Sequence, residues 1–239
     1  MNKDDLVLKT ACKLLKDNNI KFWVCHGTLL GIIREDRLLP WDRDIDLAVW
    51  NYDTDRAHVA AIFENAGYKQ EFFFADVDSL HFYSEDKNID INFFKKTNEI
   101  GSWQGAIAKK GFLNKLIIHF AHIVHMKDFV NIEFPKRFWK KVFYVLFVAI
   151  VLFLRNVFTN KLKVKINNSA LNRISYIGYS YPINFLKFKE INYKGINLHV
   201  PIDSEKYLEL TYGLSWRVPK KDYIWHEDAS NLITDRDTN

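Results

Sequence analysis

Only two cysteines, five prolines and nine glycines occur in 239 residues, and each shortage closes off an architecture. Cys12 and Cys25 cannot build a disulfide framework or a Cys-rich zinc site. One bridge between them stays open, although an isolated pair in a chain of this length points to a reducing compartment. Collagen-like and Gly/Ser-linker designs are excluded, and no repeat or low-complexity tract is visible. The N-terminal Met1-Asn2-Lys3-Asp4-Asp5 is charged, unlike a secretory signal. What is present is core material: 48% hydrophobic and 15% aromatic residues rule out a disordered chain. The length suits one domain, or a domain with an appendage.

Net charge is a modest +5, but it is unevenly spread. From Lys109 to Lys194 sixteen Lys/Arg face three acids, a local +13, which leaves −8 for the remainder. An acidic body joined to a basic stretch suggests a phosphate-rich or anionic-surface partner for the second half. Inside that stretch, residues 142–154 are unbroken apolar, between Lys136, Arg137, Lys140, Lys141 and Arg155. As a helix this run is about 20 Å long, short of the roughly 30 Å of a bilayer core. An interfacial helix on anionic lipid, a buried core helix and a true span all remain open. The first implies a cytoplasmic protein, peripheral at the inner face of the cell membrane. A nucleic-acid partner is not expected, because the basic stretch is interrupted by the apolar run and carries no reader motif.

Periodicity predicts helices over 3–18, 28–34 and 54–66, with Thr54 capping the last, and strands over 21–25, 45–49, 68–74, 80–83 and 89–94. Past Lys95 the pattern turns helical: residues 112–125, then a long helix opened by Pro135. Short strands near 183–188 and 196–200 and a helix over 204–212 complete an α+β chain. The expected organisation is a core over 1–108, a basic helical region over 109–180 and a C-terminal segment, 181–239, packing back on the core.

The chemistry concentrates in His26-Gly27-Thr28-Leu29-Leu30-Gly31-Ile32-Ile33-Arg34 and in Pro40-Trp41-Asp42-Arg43-Asp44-Ile45-Asp46. Asp44 and Asp46 are two apart at a strand start, so both point to one face. Close carboxylates repel unless a cation lies between them, and oxygen-only ligands suit Mg²⁺ or Mn²⁺. Asp42 continues the alternation. Asp90, between Ile89 and Ile91, is a third carboxylate on an otherwise apolar strand, costly unless paired or metal-bound. Gly27-Thr28 joins a strand to a helix, where backbone N–H groups and a hydroxyl can meet a phosphate.

Together, Gly27-Thr28-Leu29-Leu30-Gly31-x-x-Arg34 and Pro40-Trp41-Asp42-x-Asp44-Ile45-Asp46 resemble the signature of the LicD/fukutin-related family of the nucleotidyltransferase superfamily. Ile89-Asp90-Ile91-Asn92-Phe93 is similar to its third-carboxylate strand. Tyr207-Leu208, Tyr212-Gly213 and Trp216-Arg217-Val218-Pro219 are similar to its C-terminal segment. The resemblance implies a nucleotidyltransferase-like mixed sheet flanked by helices. It further implies a metal-dependent phosphotransferase moving a phospho-substituent, such as phosphocholine or an alditol phosphate, from a CDP-linked donor to a sugar hydroxyl. The acceptor would be a cell-surface glycan or its lipid-linked precursor, as in capsule or lipopolysaccharide assembly, and CMP would be released.

By position, Asp44, Asp46 and Asp90 would hold the metal, with Asp42 binding metal or orienting Arg34. Gly27, Thr28 and Arg34 would address phosphate, and Arg217, with Lys220 and Lys221, would meet the donor's diphosphate or be solvated. Arg43 stands where the family often has an acid, and Asn92 where it usually has Phe. Two alternatives to phosphotransfer stand: nucleotidyl transfer with release of pyrophosphate, and a non-catalytic membrane-bound assembly subunit. His26 and His81 lie close enough to the motifs to assist proton transfer, although a structural role is the simpler reading. His119, His122 and His125 read as packing or surface residues.

Overall fold

Asn2 caps the first helix, α1 (Lys3–Asp17), in a reciprocal box with Asp5, and Val7, Leu8, Ala11, Cys12 and Leu15 form its buried stripe. Asn19, at φ 58°, ends it in the left-handed region that asparagine tolerates. A computed structural model describes residues 2–71, 75, 77–125 and 138–234, with backbone alone at 138–141. There follow β1 (Trp23–Val24), α2 (His26–Glu35), β2 (Asp44–Trp50), α3 (Arg56–Asn65), β3 (Lys69–Gln70), β4 (Ser79–Tyr83), β5 (Asn88–Lys96) and β6 (Ile100–Ala108). The remainder is α4 (Phe112–His125), α5 (Phe138–Arg155), α6 (Asn160–Leu171), β7 (Ile174–Pro182), β8 (Phe188–Tyr193), β9 (Ile196–Pro201), α7 (Ser204–Tyr212), α8 (Trp225–Asp228) and β10 (Leu232–Thr234).

The mixed sheet runs β1-β2-β5-β6-β7-β10, with β4 also on β5 and β3 on β4, while β8 and β9 form a separate hairpin. β2 and β5 pair in parallel, and their register sets Asp46 beside Asp90. Ile45, Leu47 and Val49 on one face of β2 and Ala48 on the other are buried, as are Ile89, Ile91 and Phe93 and, opposite them, Asn92 and Phe94 on β5, as expected of central strands covered on both faces. Gly178 on β7 is required by packing: a Cβ there would lie 1.8 Å from the Trp103 carbonyl oxygen.

The chain divides into two compact units. One comprises 1–71, 78–105 and 177–239, and the other 72–77 and 106–176. The first holds the main core, in which α2 packs on β2 and α7, and β1 on β9. In the second, Ile123 and Val124 of α4 meet Val148 and Val151 of α5, with Ile166 of α6 against them. Among the described residues no helix is long and apolar enough to cross a membrane.

Several local expectations need correction. Asp55 caps α3 by accepting from the Ala57 N–H, while the Thr54 hydroxyl donates to Asp53. Residues 100–108 form a strand rather than a helix. Their weak alternation is overridden by pairing to β5 and by the Gln104 N–H donating to Asp78. Residues 183–186 form a 3-10 turn, and the strand begins at Phe188. α6, β7, α8 and β10 were not anticipated. Pro135 and the end of the 68–74 strand lie outside the described residues.

Candidate active site

Asp42, Asp44 and Asp46 each place a carboxylate oxygen within 4.8 Å of the others. Asp44 and Asp46 do so because they open β2 on one face; Asp42 joins them from the turn before it. Gly27 makes room. A Cβ there would stand 2.0 Å from Asp42 Oδ2 and 3.4 Å from Asp46 Oδ2, so any side chain would push the carboxylates aside. Thr28 is buried and reciprocally joined to Asp46: its hydroxyl accepts from the Asp46 N–H at 2.8 Å, and its own N–H faces Asp46 Oδ2 at 3.4 Å. The first turn of α2 thus meets a carboxylate, where the helix dipole favours negative charge.

Asp90 adjoins this cluster rather than completing it. It sits in register with Asp46 on one side and with His81 on the other, and His81 Nδ1 lies 2.8 Å from its carboxylate. Burial pulls the His81 pKa down, but the charge and hydrogen bond of Asp90 outweigh it and raise it to about 9. His81 therefore enters as a cation balancing one of four acids. Burial, then Asp44, pushes Asp42 up to about 8. Burial also leads for Asp46, raised well above the carboxylate range with Asp44, Asp42 and Asp90 adding to it, and for Asp90, raised despite His81. Three clustered carboxylates that resist ionising together are an oxygen-only donor set suited to a hard divalent cation, so the residues present fit Mg²⁺ or Mn²⁺.

Beside the cluster opens a pocket of about 330 Å³ whose lining includes Gly27, Asp42, Arg34, Trp41, Trp216 and Lys221. Arg34 is nearly buried and fixed by Glu35, at 2.7 and 3.0 Å, and by the Trp216 carbonyl, at 3.1 Å. Those two orient it; Asp42 does not. Lys220 also lines the pocket and pairs with Asp228 at 2.7 Å, while Lys221 stands over the Trp41 ring. Arg217 is not among the lining residues: it lies over the Trp216 ring at 4.2 Å and pairs with Glu205. His26 is buried among Phe94, Trp103 and Tyr179 with both ring nitrogens unpartnered, and burial lowers its pKa to about 3.

Sequence reasoning missed Lys87. Only 4% exposed, it donates to the Leu39 carbonyl at 3.1 Å and to the Asp42 carbonyl, pinning the turn that carries the cluster. Nothing in Glu85-Asp86-Lys87-Asn88 distinguishes it from a solvated turn lysine.

The comparisons decide the family. A family model described as LicD/FKTN/FKRP, nucleotidyltransferase domain, matches residues 19–154, more than half of the chain. The chain belongs to the LicD/FKTN/FKRP family. Among curated proteins it is similar to ribitol-5-phosphate transferase FKTN of Mus musculus, at 24% identity over 95% of this chain and 36% of that protein. The Homo sapiens protein of the same name is 22% identical over the same shares. An uncharacterized Rickettsia prowazekii protein, RP689, is 38% identical over 65 residues, 26% of this chain and 24% of that one. The chain thus spans about a third of the length of the FKTN proteins. The solved antibiotic-resistance factor ANT(2'')-Ia is a distant likeness: TM-score 0.35 and 15% identity, over 72% of this chain and 93% of that one.

Two departures from the LicD signature are resolved locally. Arg43 is exposed, so the absent acid leaves the cluster intact. Asn92 is buried but satisfied, accepting from the Ser79 hydroxyl at 2.8 Å and donating to Cys25 Sγ at 3.7 Å. Trp103 Nε1 donates to the same Ser79 oxygen at 2.8 Å.

Proposed function

We propose that this chain is a metal-dependent phosphotransferase. It moves a phospho-substituent of phosphocholine or phospho-alditol type from a CDP-linked donor to a sugar hydroxyl of a glycan or its lipid-linked precursor. The observation that carries the proposal is the Asp42–Asp44–Asp46 cluster beside a pocket walled by tryptophan and cations. The ribitol-5-phosphate transferase name of the FKTN relatives supports the class of donor. Asp42, Asp44 and Asp46 would hold the ion, with Asp90 beside them, and a bound divalent cation would neutralise phosphate oxygens as charge shifts.

The chain's own residues do the rest. Arg34, braced by Glu35, and Lys220 and Lys221 address the donor's phosphates, and the first turn of α2 at Gly27-Thr28 keeps the carboxylates aligned. The acceptor oxygen bonds to the phosphorus that bears the substituent. The bond from that phosphorus to the bridging oxygen breaks, and its electron pair leaves with CMP. The hydroxyl proton passes to a neighbouring carboxylate, Asp42 or Asp90, and a loose transition state asks little of that base.

The test is a product screen over CDP-choline, CDP-glycerol, CDP-ribitol and CDP-ethanolamine with Mg²⁺ or Mn²⁺. CMP release that requires an acceptor glycan is the expected result. Release of pyrophosphate from a nucleoside triphosphate would instead assign nucleotidyl transfer, and no turnover of any donor would leave an assembly subunit.

A further inference from the structure

We infer that the 106–176 unit docks on an anionic lipid surface through an apolar stripe on α5. This inference does not rest on the transferase reading. α5 is about 27 Å long at 1.5 Å per residue and apolar on two sides. One side, Val148 and Val151, is buried against α4. The other leaves Phe143, Leu146, Ile150 and Phe153 exposed, Phe143 by 70% and Phe153 by 74%. Their spacing of three, four and three places them along one line of the helix. Phe112, Leu113 and Leu116 of α4 and Leu162 and Val164 of α6 are exposed as well. Burying only the inner side of an all-round apolar helix leaves a liability that a water-facing surface does not keep without a partner.

Charge identifies the partner. Among the described residues of 106–176 there is no Asp or Glu, while Lys109, Lys110, Lys115, Lys161, Lys165 and further basic residues flank the helices. A second copy would set one strongly basic stretch, thirteen Lys/Arg against Asp128 and Glu133 over 106–176, against another, which like-charge repulsion disfavours. Nucleic acid would match the charge but not a row of Phe, Leu and Ile. A bilayer with anionic headgroups satisfies both, taking the aromatic and aliphatic side chains into the acyl boundary and the lysines at the phosphates. The interior contacts already use the histidines: His119 bonds Tyr144 at 2.5 Å and His125 faces the Lys163 carbonyl at 3.3 Å. Among the described residues, the one group of His, Cys, Asp or Glu placed to hold a metal is Asp42, Asp44 and Asp46, outside this unit.

The experiment is flotation of the full chain with phosphatidylcholine vesicles, with and without phosphatidylglycerol, at low and high salt. Binding should need phosphatidylglycerol and weaken with salt. Phe143→Ser with Phe153→Ser should abolish it while circular dichroism and melting stay unchanged, because both side chains are already exposed. Lys161→Glu with Lys165→Glu should lower affinity by about 25-fold or more, each lysine near such a surface contributing about fivefold. Absence of binding, or binding indifferent to the Phe143 and Phe153 changes, overturns the proposal. So does a wild-type dimer in sedimentation that those changes dissociate, which would make a second copy the occupant. CMP release with a soluble acceptor, measured on the same Phe143 and Phe153 variant, separates this outcome from any failure of the transferase reading.

Discussion

The two units of this chain handle unfavourable groups in opposite ways. The first draws carboxylates inward: Asp42, Asp44 and Asp46 crowd together, with Asp90 next to them, and burial with neighbouring charge raises the pKa values of Asp42, Asp46 and Asp90. The second has no acid among its described residues and turns apolar side chains outward. Neither arrangement is what stability alone selects, since buried like charges and exposed phenylalanines both cost free energy. On the two proposals above, a divalent cation would offset the first and an anionic lipid surface the second. The contrast teaches that the net charge of +5 is a misleading average, because the informative quantity is how charge divides between the units.

The largest effect should come from removing the cluster. Asp46→Asn should cost about 10³-fold or more in turnover, the scale of losing an electrostatic element at the reacting centre, with folding retained. Undiminished turnover in a folded variant would break the comparison at once. Gly27→Ala is next. Its new Cβ would meet Asp42 Oδ2 at 2.0 Å, so the carboxylate must swing away. We expect about 10²-fold lower turnover, the scale of an ångström-sized misplacement, and a reduced response to Mn²⁺.

A third prediction concerns pH. Asp42 is raised from 3.8 to about 8, by burial first and then by Asp44. Between those values the folded state keeps a proton that the unfolded chain has lost, so the stability this group contributes falls as pH rises from about 4 to about 8. Thermal melts in EDTA should therefore decline across that window, and Mn²⁺ should restore most at its upper end. Equal stabilisation by Mn²⁺ at both ends would argue against the cluster as its site.

Lys87→Met should cost about 1–3 kcal/mol of stability by leaving the Leu39 and Asp42 carbonyls without their buried donor, measured by urea denaturation. Arg217→Ala should do least. Its pair with Glu205 is exposed, and a change below about 1 kcal/mol, with little effect on the donor's KM, is expected.

Much of the first unit was legible because its patterns are local. The alternation Asp42, Asp44, Asp46 reads directly as one strand face, and α7 and the strands over 45–49, 80–83 and 89–94 follow from periodicity within a few residues, as does α4 in the second unit. The convergence of Asp42 with the other two depends on a turn held by Lys87, 45 residues later, and no spacing rule expresses that. Asp90 was legible as a carboxylate on an apolar strand, but its engagement by His81, beside the cluster rather than within it, is a cross-strand register set by the sheet. Strand β6 was misread because its identity comes from its partners. The roles expected of Thr28 and Arg34 were assigned toward phosphate. The fold shows that Asp46 already occupies Thr28, and that Glu35 and the Trp216 carbonyl position Arg34.

The central claim, that the clustered carboxylates are a cation site, is tested most directly by Mn²⁺ binding to wild-type protein and to Asp46→Asn, followed by electron paramagnetic resonance. A single ion per chain in the wild type, lost or greatly weakened in the variant, is the predicted result. Mn²⁺ bound equally well by a folded Asp46→Asn protein would contradict it.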